Sequence, residues 1–235
     1  MSTHYNPRTV LRQISSPLLR ELFEARGHSL EDPGEGTGSA QVQAVYDRYL
    51  RLPETAQRAI ETDLRDIHAV ATEEGILALV EAGRRSGRPV ADDLSEQSSR
   101  CDMAVRVLLS RPDIWPESVR FAHADSLSPR YWEKRNGLPK AAPDTSPEAL
   151  ARLGRAISGY FVQAEGRGRL SLVEPFRRSE CLDYFFVYLS DHAGTKIIWN
   201  DSAELVRERR HQAFEVVFAF DRSAGTLDLY ARGGH

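Results

Sequence analysis

The sequence predicts an α+β protein, with a helical N-terminal two-thirds packed on a C-terminal, mostly antiparallel β-sheet of about five strands. Three observations carry this. Up to about residue 165, apolar side chains recur every three or four positions, the spacing of one buried helix face. From Gly166 onward the repeat shortens to two. Proline and helix-cap residues punctuate the first part, whereas glycine-containing turns punctuate the second.

Asn6-Pro7 has the form of an N-cap followed by proline at the first helical position, and Val10, Leu11 and Ile14 then share a face. Ser16-Pro17 restarts the helix, and Leu18, Leu19, Leu22 and Phe23 extend the apolar stripe to a stop at Gly27. The glycine-rich run 31–38 reads as a loop. Val42, Val45, Tyr46, Tyr49 and Leu50 mark the next helix, and Ile60, Leu64, Ile67 and Ala71 a longer one after Pro53. Gly75 is read as a break, with Ile76, Leu77, Leu79 and Val80 following, and 83–89 as a turn. Asp93 and Glu96 have capping-box spacing ahead of a helix through Val105, Leu108 and Leu109 that Pro112 ends. Pro116 and Ser128-Pro129 start two short helices, the second closed by Asn136-Gly137. Ser146-Pro147 opens the last long helix, with Leu150, Leu153, Ile157, Tyr160 and Phe161 toward the core.

Strands are expected at 169–174, 182–190, 195–200, 214–221 and 226–232, with hairpin loops at 191–194 and 221–225 and a short helix over 202–210. The region 137–147 is the best linker, giving a helical region 1–140 and a helix-plus-sheet region 146–235 that together can form one domain.

The chain has 235 residues, is 41% hydrophobic and 28% charged, and carries a formal net charge of −3. That balance excludes wholesale disorder and gives no global signature for nucleic acid or an anionic membrane. The acidic excess lies in 1–129 and residues 130–235 are slightly basic; across the chain nearly all the positive charge is arginine, the lysines being Lys134, Lys140 and Lys196. No stretch approaches the roughly 20 apolar residues that span a bilayer, and residues 1–12 lack the apolar segment of a secretory leader. Cys101 and Cys181 stand alone and read as reduced core residues. The chain is therefore expected to be cytoplasmic and free of membrane.

Few residues are arranged for chemistry. The run Gly34–Gly38 precedes a helix as a phosphate loop does, but it lacks a lysine and carries Glu31, Asp32 and Glu35, which repel anions. The strand carboxylates Glu174, Asp183 and Glu215 are what a metal-dependent nuclease needs, yet Lys196 has no acid two positions before it. Histidines lack paired metal-ligand spacing, and Ile157-Ser158-Gly159 is only part of a nucleophile elbow. No cofactor or metal is expected.

Two segments stand out. Arg130, Tyr131, Trp132, Lys134, Arg135 and Lys140 interleave cations with aromatics, a combination that stacks bases and holds phosphates. The same residues also suit a surface element pinned by its two rings, with its charges in water. Arg207, Arg209, Arg210 and His211 form a second basic cluster. At the C-terminus, Arg232, Gly233 and Gly234 follow a final strand and precede His235, as in the tails of ubiquitin-like modifiers.

The segments Arg130–Pro139, Phe214–Phe218 and Ala224–Gly234 resemble those of uncharacterised bacterial proteins of comparable architecture, in which the chain continues past the Gly-Gly pair. That resemblance implies no activity and transfers no site residues. The expected function is a non-enzymatic interaction or regulatory protein, with another protein as partner and nucleic acid contacted through residues 130–140. A ubiquitin-like modifier and a metal-dependent nuclease or hydrolase are the alternatives.

Overall fold

The computed structural model describes residues 5–30, 39–90, 94, 98–200 and 202–232. The glycine-rich run, the Asp93/Glu96 capping box and the Gly233-Gly234 tail lie outside these residues. Among them the fold is α+β: eight α-helices occupy the first two-thirds and a five-stranded antiparallel sheet the end. No helix there is long and apolar enough to cross a membrane. The chain divides into two compact units, Met1–Ser126 and Leu127–His235.

The first unit holds α1 (Pro7–Gln13), α2 (Ser16–Ala25), α3 (Ser39–Leu50), α4 (Glu54–Val70), α5 (Glu73–Arg85), α6 (Arg100–Ser110) and α7 (Trp115–Ser126). The Asn6 side chain accepts from Arg8 N, as its cap role requires. Val10, Leu11, Leu22, Phe23, Ile60, Leu64 and Ile67 form the centre of its core. The break between α4 and α5 is not at Gly75. It falls at Ala71-Thr72, where the Thr72 hydroxyl caps α5 by accepting from Gly75 N at 3.0 Å. Leu77 consequently points outward. Ser99, not the Asp93/Glu96 pair, caps α6 through Asp102 N. Cys101 is buried here, and desolvation pushes its thiol up to about 11. Cys181, by contrast, is exposed rather than in a core.

The second unit begins with a single 3-10 turn (Pro129–Tyr131) that runs into β1 (Trp132–Arg135). This corrects the short helix expected over 129–136: β1 pairs antiparallel with the final strand, with Trp132 opposite Tyr230 and Lys134 opposite Asp228. Helix α8 (Pro147–Glu165) is capped by the Ser146 hydroxyl and stops at Gly166, whose φ is +69°. Then β2 (Ser171–Arg177), β3 (Leu182–Trp199), β4 (Leu205–Asp221) and β5 (Thr226–Ala231) form a meander. The sheet order is β1-β5-β4-β3-β2. One face is packed by α8: Phe161, Leu150, Leu153 and Ile157 meet Val173, Phe185, Val187, Val216 and Phe218. Tyr160 is exposed rather than inward. No helix separates the first hairpin's strands from the next, so the helix that a β-grasp places after that hairpin is not there among the described residues.

The largest departure from expectation lies in β3 and β4. Residues 191–194 do not turn and 202–210 are not helical; residues 191–194 and 205–210 belong to strands, 18 and 17 residues long. Pairing continues from Leu182/Asp221 to Trp199/Leu205.

Candidate nucleic-acid interface

The β3–β4 hairpin extends past the body of the sheet as a two-stranded ribbon from Ala193/His211 to Trp199/Leu205. Its base is a β-bulge between Ser190 and Ala193, where β3 carries one residue more than β4. Asp191, which in sequence looks like a turn residue, lies in that bulge. Its carboxylate accepts from its neighbour His192 N at 2.8 Å and from Arg167 at 3.2 Å. Burial pushes its pKa up, but these hydrogen bonds and the Arg167 charge outweigh that effect and hold it below the usual carboxylate value.

Arg167 fastens the ribbon to the end of α8. It also pairs with Glu165 at 2.6 Å, and its guanidinium lies 3.8 Å from the centre of the Phe214 ring. Gly168 brings the following loop against the bulge: its N–H donates to Ser190 O at 2.7 Å, and Leu170 N donates to the Ser190 hydroxyl. A Cβ on Gly168 would sit 3.0 Å from Phe161 Cβ, at a φ of +86°, so only glycine fits there without strain. At the far end the Asn200 side chain accepts from Ser202 N and Glu204 N, closing the turn.

Directly paired residues share a face of an antiparallel ribbon. One face therefore carries Ala193/His211, Thr195/Arg209, Ile197/Arg207 and Trp199/Leu205. This face has two arginines, a histidine and no carboxylate. Its apolar members are well out in solvent: Trp199 is 65% exposed, Leu205 60% and Ile197 57%. The other face pairs Lys196 with Glu208 across the strands, and Glu208 also binds Arg210 at 2.6 Å. Positive charge is thus partly neutralised on one face and unopposed on the other.

The residues 130–140 that stand out by composition lie elsewhere in the unit, at the β1 edge and over the β4–β5 turn. The Tyr131 and Trp132 rings pack against Tyr230, with centroids 6.2 and 5.5 Å away. Lys134 pairs with Asp228 at 3.3 Å and Arg135 with Glu133 at 3.2 Å. The Arg130 guanidinium lies 5.8 Å from the centre of the Tyr131 ring. Leu138 N donates to Gly225 O, and a Cβ on Gly225 would meet Leu138 O at 2.5 Å; Lys140 lies beside the same glycine. The segment is a pinned edge in which Lys134 and Arg135 already have carboxylates. Arg232 is exposed at the end of β5. The ribbon cluster Arg207, Arg209 and His211 is visible in the sequence as a basic run, but its alternation with Leu205, Val206 and Glu208 is a strand signal that charged residues obscure.

The strand carboxylates do not converge. Glu174 and Glu215 fall on the pleat face of Phe186, Asp183 on the opposite one with Phe185. Asp183 is buried and held by Arg222 at 2.6 Å and Arg177 at 3.3 Å. Among the described residues no three His, Cys, Asp or Glu side chains are grouped to hold a metal ion.

Compared with protein-family models, curated proteins and solved structures, the chain has no match.

Proposed function

We propose that the protein acts by binding, and that it binds duplex nucleic acid with the β3–β4 ribbon. The observation that carries this reading is the ribbon face on which Arg207, Arg209 and His211 stand with Trp199, Ile197 and Leu205 and no acid. Arginine suits phosphate because its planar fork donates two parallel hydrogen bonds. A two-stranded ribbon fits a duplex major groove about 12 Å wide. The stretch Ala193–Trp199 spans roughly 23 Å at the usual strand rise, enough to follow the groove across several base pairs. The order along the arm supports the same reading. Cations sit nearer the base, where a backbone would run, and the apolar pair Trp199/Leu205 sits at the tip, where base edges and thymine methyl groups are reached. The fixed base, with Arg167 bridging α8 to the bulge, lowers the ordering cost of binding.

The test is a salt titration of binding to a labelled duplex. Arg207→Ala/Arg209→Ala is expected to weaken binding by about tenfold or more at low salt and to lower the log–log salt slope by about 2, close to 0.9 for each phosphate no longer neutralised. Arg135→Ala, which lies on the β1 edge and not on the ribbon, is expected to leave the slope nearly unchanged. An unchanged slope in the double variant overturns the assignment. So does equal binding to anionic lipid vesicles, which an apolar tip above a cationic collar also suits.

A further inference from the structure

A second site lies on the α8 side of the same unit. A cavity of about 430 Å³ opens between the C-terminal half of α8 and strands β4, β5 and β1. Its volume falls within the range of small-molecule sites. The floor is apolar, with Phe218 and Leu229 from the sheet. Tyr131, Tyr160 and Phe161 supply aromatic walls, the last two set edge to face with centroids 5.3 Å apart. Among the described residues, the charged side chains lining it are Glu133 and Glu165; behind them the Arg130 and Arg167 guanidiniums stand 5.8 and 5.5 Å from the centres of the Tyr131 and Phe161 rings.

We propose that this cavity binds a small organic cation with an apolar body, of the quaternary or bulky tertiary ammonium class. The Tyr160 ring attracts such a cation through its quadrupole, and the apolar floor takes up its hydrocarbon part. An anion meets the Glu133 carboxylate, and a neutral molecule of the same shape gains only the floor. Glu133 is able to turn toward a ligand: it and its partner Arg135 are about two-thirds exposed or more, and ion pairs so wet are worth little. Glu165 is paired with Arg167 and adds little net charge, so Glu133 and the partial negative charge of the helix end supply the electrostatic attraction. The site does not depend on the ribbon's ligand.

The experiment uses the full chain and benzyltrimethylammonium as probe, with benzyl alcohol and benzylsulfonate as the neutral and anionic controls, read by methyl resonances of Leu229 and Ala231. The cation is expected to give saturable shifts in the millimolar range or below, and the two controls weaker or no shifts. Tyr160→Ala and Glu133→Gln, both surface side chains whose loss leaves the fold intact, are each expected to weaken the cation by about threefold, as befits one exposed cation–π or charge interaction. Equal shifts from benzyl alcohol, shifts confined to other residues, or no saturation in the millimolar range each overturn the proposal.

Discussion

Asp183→Ala is expected to destabilise the second unit by about 3–5 kcal/mol, measured by chemical denaturation followed through far-ultraviolet circular dichroism. The carboxylate is only 5% exposed and accepts from Arg222 Nε and Nη2 through one oxygen and from Arg177 Nε through the other. Arg222 is itself largely covered, so the alanine variant leaves a guanidinium in low dielectric without its counter-charge. That uncompensated charge, rather than the missing attraction, supplies most of the cost. The arrangement also ties three strands: Arg177 ends β2, Asp183 lies at the start of β3, and Arg222 follows β4, its N–H donating to Cys181 O. Asp183→Asn keeps acceptor and shape and is expected to lose less. Equal loss in both variants, or less than about 1 kcal/mol in alanine, contradicts the ion-pair account.

Phe161→Ala is expected to cost a similar amount, about 3–5 kcal/mol, by the same measurement. Phe161 is the core-facing ring of α8, and it meets Phe214 edge to face with centroids 4.9 Å apart. Its removal opens a cavity against Phe185, Val187 and Leu189 and takes away one of the two rings beside the Arg167 guanidinium. Because Arg167 also holds Asp191 in the bulge, the same variant is expected to loosen the ribbon's base, seen as faster amide exchange at His192 and Ala193. Phe161→Leu retains most of the volume and is expected to cost less than half as much. A Phe161→Ala protein as stable as the parent contradicts the packing of α8 on the sheet.

Legibility of the fold in the sequence follows burial. Helices α1 to α8 carry a covered stripe, so their period shows, and the Asn6 and Ser146 caps are local chemistry that needs no tertiary context. The sheet's core strands are legible for the same reason: apart from Asp183 and Glu215, Leu182–Leu189 and Phe214–Phe220 are apolar, and most of these residues are covered. Elements without a buried face mislead. The strand β1 is almost all polar, and Asn136-Gly137 after it looks like a helix stop. In the ribbon, Val206 to Arg210 alternates only weakly, since neither side faces a core, and Asp191-His192-Ala193-Gly194 has turn composition that serves a bulge instead.

The candidate site is half legible. The basic run at 207–211 is plain in the sequence, but the absence of carboxylates beside Arg207 and Arg209 shows only once the segment is a strand, because the two-residue alternation then turns Glu208 to the opposite face. In the short helix that the sequence suggests for 202–210, no such separation of Glu208 from the arginines would hold. Residues 130–140 have the better composition and the poorer placement. Their rings pack against Tyr230, and two of their cations lie beside Asp228 and Glu133.

The ribbon's role is tested most directly at Trp199. It is the most exposed of the three tryptophans, with Trp115 buried and Trp132 packed on Tyr230. A titration of the protein with duplex at low salt, following tryptophan emission alongside anisotropy of the labelled duplex, separates binding at the tip from binding anywhere else. The account predicts saturable quenching that tracks the anisotropy curve and disappears in Trp199→Phe. Tight binding with unchanged Trp199 emission, or no binding at low salt, contradicts it.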